Sequence, residues 1–262
     1  MGAVDPVLLT ILAFGFAMAG IAMVGGLLVL LPGGWLERLL PVVVAFSAGS
    51  LLGGAVYFMV PHALAKSMSV VETMGWLVVG FSLFLGVDLV LEWRDATRPS
   101  SVRPLGPLLL IADGMHNFLG GLAIGAVFVA DYHAGVAAWA AAALHEVPQE
   151  IGDFGAIVHA GFSPRRALVY NVLSALTFPV GGLVAYGLAD AIDVGFLVAV
   201  GAGSFVYIAA VDLLPEIKRS PSLPAAGARF GAFLLGTALL FAGALYAADV
   251  RHDTTVGHEG AE

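Results

Sequence analysis

The stretch His145-Glu146-Val147-Pro148-Gln149-Glu150-Ile151-Gly152-Asp153 sets four ionisable side chains inside an apolar run from about Ala134 to His159. Each carboxylate at the centre of a membrane-spanning helix costs roughly 2.5–3.5 kcal/mol, so the three together would cost on the order of 8–10 kcal/mol if they faced lipid. They are expected to face protein, water or an ion. At ~100° per residue, Glu146, Gln149, Glu150 and Asp153 share one helical face, and His145 stacks one turn above Gln149. Pro148 removes a backbone donor and frees the Leu144 carbonyl, which predicts a kink beside the polar face.

Of the 262 residues, 60% are hydrophobic and only 11% are charged, which places the chain among polytopic membrane proteins and outside the soluble range. The mean hydropathy of +0.96 says the same. With no cysteine there is neither a disulfide framework nor a thiolate metal site, so metal chemistry must use imidazole, carboxylate, amide or thioether. The net charge of −8 is dispersed, and no basic stripe suggests nucleic acid. No ATP-binding motif such as a P-loop is found. Met1 to Pro6 lacks a basic leader region, so the first apolar run is expected to be a retained helix.

Taking ~20 apolar residues per span, eight are expected: roughly 7–31, 40–64, 75–92, 105–130, 134–159, 165–189, 194–215 and 227–249. Alternate loops then carry Arg38, Arg94, Arg98, Arg103, Arg165, Arg166, Lys218, Arg219 and Arg229 on one side, against Lys66 and Arg251 on the other. Excess positive charge marks the cytoplasmic side, so both termini are expected outside. The whole chain, 1–262, reads as a single transmembrane unit. Ala48-Gly49-Ser50 is followed by Pro61 eleven residues after the serine, and Ala202-Gly203-Ser204 by Pro215 at the same distance. These two spans cross in opposite directions, which is the signature of an inverted repeat, although helices packing through small residues would also produce it.

The fourth span carries Asp113, His116 and Asn117 within ~100° of one another. Only Asp131 to His133 joins it to the fifth, so the two are expected to be antiparallel neighbours with His116 and His145 at similar depth. Two imidazoles, a carboxylate and two carboxamides at mid-membrane suit a borderline divalent cation such as Zn²⁺, with Fe²⁺, Mn²⁺ or Co²⁺ as further candidates. The structural alternative is that these side chains only tie the two helices together by hydrogen bonds.

These residues resemble the ZIP family of divalent-metal transporters, in the branch with HNFxDG on the fourth helix and HExPHExGD on the fifth; here they read HNFLGG from His116 and HEVPQEIGD from His145. The resemblance extends to the segments starting at Ala48 and Ala202 and points to a bacterial-type member. It implies an all-α, eight-helix, multi-pass protein of a bacterial or archaeal inner membrane, with a homodimer as a further expectation. It also implies passage of Zn²⁺, or of Fe²⁺, Mn²⁺, Co²⁺ or Cd²⁺, towards the cytoplasm between the fourth and fifth helices. The metal is then substrate, not cofactor, and the protein is not an enzyme. Carried over by position, the ligands are His116, Asn117, His145, Glu146 and Gln149.

The departures are specific. Gly120 stands where two-metal relatives have a carboxylate, Gln149 replaces the second histidine of the fifth-helix motif, Gly54 and Phe58 replace an Asp and a His, and Phe178 aligns with a sixth-helix Glu. One metal at a time is therefore expected. Further candidates for the site or its pathway are Asp113, Glu150, Asp153, Met59, His62 and Asp212. A ZIP-like sensor or scaffold without flux is the main rival. An intramembrane metalloprotease of the HExxH type is disfavoured by Gln149 and Pro148.

Overall fold

The protein is described from a computed structural model over residues 5–30, 34–65, 68–97, 102–188 and 195–259. The described residues form eight long helical segments and no strand. We number them α1 (Pro6–Ile21, extended by a 3₁₀ stretch Ala22–Leu30), α2 (Trp35–Gly53, with the continuations described below), α3 (Val70–Thr97), α4 (Leu105–Ala130) and α5 (Tyr132–His159). The remainder are α6 (Pro164–Ala175 and Thr177–Leu188), α7 (Gly195–Tyr207 and its continuations) and α8 (Leu223–Glu259). Seven of these are long and apolar enough to cross a membrane; the eighth, α5, has the length at 28 residues but carries the acidic stretch. The expectation of an all-α, eight-helix fold therefore holds. The third and eighth helices run longer than expected, to Thr97 and Glu259.

Pro148 does not interrupt α5, which stays helical from Tyr132 to His159. The helix that breaks is α6, at Leu176. Pro179 has no N–H to return to the Ala175 carbonyl, and Thr177 satisfies neighbouring carbonyls instead by donating its hydroxyl to Ser174 O at 2.7 Å and Gly114 O at 2.6 Å.

The sequence repeat is also a structural one. After Gly53, α2 passes into a π-helical stretch Gly54–Met59 and then Val60–Ala65; after Tyr207, α7 passes into a π-helical stretch Ile208–Leu213 and then Leu214–Lys218. Val60 N–H bonds the Ala55 carbonyl and Leu214 N–H the Ala209 carbonyl, five residues back in both. Pro61 and Pro215 explain the shift, because each deprives the carbonyl four residues earlier, Tyr57 or Val211, of its α-helical partner.

The repeated glycines lock these two helices to their neighbours. A Cβ on Gly203 would lie 2.0 Å from Leu77 O of α3, and one on Gly80 of α3 would lie 1.9 Å from Val200 O. The same reciprocal contact joins α2 to α8: a Cβ on Gly49 would lie 2.1 Å from Phe233 O, and one on Gly236 would lie 2.4 Å from Phe46 O. In each case the backbone touched lies three residues before the partner glycine. Small residues let helix backbones approach this closely where lipid offers no hydrophobic drive.

Gly203→Ala is expected to destabilise the protein by about 1–3 kcal/mol or more, the scale of overpacking against a fixed backbone. Gly86→Ala on α3, where an added Cβ meets nothing within 4 Å, is the control and should be neutral or slightly stabilising. Thermal unfolding in detergent, read by gel filtration, compares the two; equal midpoints would overturn the packing argument.

Candidate metal site between α4, α5 and α6

The acidic face of α5 is buried, with Glu146 3%, Gln149 1%, Glu150 1% and Asp153 2% exposed. Three helices supply what surrounds it. From α4, Asp113 and Asn117 lie one turn apart, and Asn117 Nδ2 donates to Asp113 Oδ1 at 2.8 Å and to the Asp113 carbonyl at 3.2 Å. From α6, Ser174 donates its hydroxyl to Asp113 Oδ2, and Asn171 donates its amide to Glu150 Oε2. From α2, Ser47 Oγ donates to Asp153 Oδ1 at 3.4 Å.

His116 Nε2 on α4 lies 3.5 Å from Glu146 Oε2 on α5, and the two helices meet as the short connection between them predicts. The imidazole also packs against the Phe205 ring of α7, with centroids 5.0 Å apart. Carboxylate oxygens of Asp113, Glu146 and Glu150 lie within 4.8 Å of one another. The structure thus gathers Asp113, His116, Asn117, Glu146 and Glu150. Gln149 turns toward α2, where a Cβ on Gly54 would lie 3.8 Å from its Oε1, and it stands within reach of Asp153 one turn on. The side chain of His145 lies outside the described residues.

The other candidates sit elsewhere. Met59 is packed in the apolar core, its methyl end and Leu119 both against Gly201 of α7. His62 is half-buried on the segment that follows the π turn of α2. Asp212, in the π stretch of α7, stands within electrostatic reach of Asp88, Glu92 and Arg103, and Asp88 accepts the Tyr207 hydroxyl at 2.8 Å. Asn171, Ser174 and Ser47 were not singled out from sequence. The signal available was the three-residue spacing of Asn171, Ser174 and Thr177 within one span.

Two of the departures from the ZIP pattern touch each other. A Cβ on Gly120 would lie 3.2 Å from Phe178 Cε2, and Phe178 is 5% exposed. An aromatic ring packs on a bare glycine here, which leaves no charged group at either position.

The architecture and the site define a class: a polytopic helical protein of membrane-spanning length, with acids and an imidazole gathered between adjacent helices. The chain belongs to the ZIP zinc transporter family, whose profile, ZIP Zinc transporter, matches residues 92–248. That family is one of transporters, not enzymes. The chain is 38% identical over 146 residues to zinc transporter ZIP10 of Danio rerio, which covers 55% of this chain and 17% of that protein. It is 41% identical over 141 residues to zinc transporter ZIP4 of Homo sapiens, covering 50% of this chain and 22% of that protein. With zinc transporter zipt-7.2 of Caenorhabditis elegans it shares 28% identity over 274 residues, 79% of this chain and 59% of that protein. The chain thus spans only about a fifth of the length of the first two.

Gly120→Glu alone is expected to destabilise the protein, because the new side chain must displace the Phe178 ring. Phe178→Ala in the same chain should recover more stability than the two single changes predict together, the mark of contacting residues. A double-mutant cycle on thermal midpoints in detergent checks this; additive effects would mean that the ring does not occupy the ligand's place.

Proposed function

We propose that the protein carries a divalent transition-metal cation, Zn²⁺ first among them, across a membrane through a site between α4 and α5. The observation that carries this reading is the approach of His116 Nε2 to Glu146 Oε2 at 3.5 Å inside a membrane-length bundle. Imidazole and carboxylate together suit borderline ions, and a buried carboxylate needs a cation or a proton to be tolerated there. The ligands in this reading are His116, Asn117, His145, Glu146 and Gln149, with water free to complete the shell. Burial of Gln149 beside Gly54, on the same face as Glu146, supports its place in that set.

With Gly120 and Phe178 offering no charge, this site holds one ion weakly enough to release it, as conduction requires. Transport runs down the ion's own gradient or the membrane potential, with both termini outside and metal moving to the cytoplasm, in a bacterial or archaeal inner membrane. The chain acts as a single transport unit that pairs as a homodimer. The curated relatives named zinc transporter support the choice of Zn²⁺.

Saturable ⁶⁵Zn²⁺ uptake is expected in proteoliposomes of the wild type and should fall to background in His116→Ala and Glu146→Ala, with Mn²⁺, Fe²⁺, Co²⁺ and Cd²⁺ as competitors ranking selectivity. Folded wild-type protein that binds Zn²⁺ without flux would replace transport with sensing.

The absence of cysteine makes orientation directly measurable. In whole cells a membrane-impermeant maleimide should label Ser69→Cys, between α2 and α3, and label Ser222→Cys, before α8, only after permeabilisation. The reverse pattern would invert the topology.

A further inference from the structure

Asp113, Glu150 and Asn171 form a group that the transport ligands do not use. Each sits one or more turns from those ligands in the same direction. Asp113 precedes Asn117 by one turn of α4, Glu150 follows Glu146 by one turn of α5, and Asn171 lies near the start of α6. The Arg103 N–H donates to the Ala160 carbonyl at 2.7 Å, so the start of α4 and the end of α5 share one side of the bundle, the arginine-rich side.

The group is closed to water, with Asp113 3%, Glu150 1% and Asn171 0% exposed. No lysine or arginine occurs in α4 or α5, and Arg165 and Arg166 at the start of α6 are exposed. Three carboxylates therefore lie together with no lysine or arginine from these two helices, and with His116 beside Glu146. Glu150 Oε1 and Asn171 Oδ1 have no hydrogen-bond partner among the described residues, although both are buried. Oxygens left unpartnered in such a place mark room for a ligand that accepts lone pairs. Asp113, Glu146 and Glu150 each bring an oxygen within the mutual 4.8 Å that ligands of one cation at ~2.1–2.4 Å can span.

We infer that Asp113, Glu150 and Asn171, with Glu146 shared, form a second cation site, built of oxygen alone and lying one helical turn from the imidazole site toward the arginine-rich side. Carboxylate, carboxamide and hydroxyl oxygens favour harder divalent ions such as Mn²⁺ over the ions that imidazole favours. Its role as the next station for an ion leaving His116 rests on the transport reading; its existence as a binding site does not.

Mn²⁺ is the probe, because its electron paramagnetic resonance signal is lost on binding. Full-length protein in detergent, checked for a folded elution profile, is titrated as His116→Ala, as His116→Ala with Glu150→Gln, and as His116→Ala with Asn171→Ala. His116→Ala is expected to keep one bound Mn²⁺ per chain. Glu150→Gln should abolish that binding, and Asn171→Ala, which removes one neutral ligand and keeps the charges, should weaken it about 10–100-fold. Should Glu150→Gln fail to fold, the Asn171→Ala chain decides alone. Loss of all Mn²⁺ in His116→Ala, or a retained ion that ignores both added changes, overturns the proposal and leaves the three acids holding protons. Mn²⁺ retained by His116→Ala and lost with Glu150→Gln, in a protein whose wild type moves no Zn²⁺, would uphold the site and sink the transport reading.

Discussion

A carboxylate cannot face hydrocarbon, and α5 carries three of them on one face through the middle of a membrane-length helix. The packing around α5 follows from that constraint. Its second half is enclosed, with Phe154, Ala156 and Ile157 fully buried and Gly152 so close to α2 that a Cβ would lie 2.7 Å from Ser47 Cα. Ser47 of α2 and Asn171 of α6 donate to Asp153 and Glu150 on that face, Gly54 of α2 leaves bare backbone beside it, and Asn117 and Ser174 donate to Asp113 opposite. Interhelical hydrogen bonds of this kind contribute only about 0.6–2 kcal/mol each in membranes. They orient the acids more than they compensate for burying them, and the remaining charge calls for cations or protons.

The frame that holds this helix comes from two prolines placed identically in two helices. Pro61 and Pro215 each cost the preceding turn an α-helical bond, and the backbone answers with a π turn that restores pairing five residues back. The π stretch of α2 opens at Gly54, whose missing side chain faces both Gln149 Oε1 and the Phe205 ring. The irregular backbone therefore borders the candidate ligands. The paired glycines fix α2 to α8 and α7 to α3 through backbone contact, which leaves little freedom for side-chain repacking to shift those pairs.

Much of this was legible in the sequence because membranes make polar residues conspicuous. HEVPQEIGD stood out since a charge in an apolar run needs a reason, and the helix count came from apolar runs of spanning length, with the basic residues giving the expected orientation. The repeat was visible as two AGS triplets with a proline at equal distance, yet the π turns they produce depend on which carbonyl loses its partner in three dimensions. Asn171 and Ser174 were missed because uncharged polar residues near a span's end are common, and only packing brings them to Glu150 and Asp113. Pro148 predicted a kink, and α5 stays helical through it, whereas α6 breaks at Leu176, ahead of Pro179. Proline is tolerated inside such helices where neighbouring helices enclose the freed backbone.

The missing carboxylates at positions 120 and 178 also read differently once placed. In isolation each substitution removes negative charge from a cation site; together Gly120 and Phe178 form an apolar contact that excludes water from the side of the site away from the arginine-rich end. The acids that remain, Glu146, Glu150 and Asp153 along α5 with Asp113 facing them from α4, run from the imidazole of His116 toward that end. In the proposed transport role, a cation beside His116 would have apolar packing on one side and a row of carboxyl groups on the other. In a medium of low effective dielectric, charges within 5–10 Å interact by amounts that exceed thermal energy several-fold. In that role, this asymmetry would favour movement of an ion from His116 toward the acids.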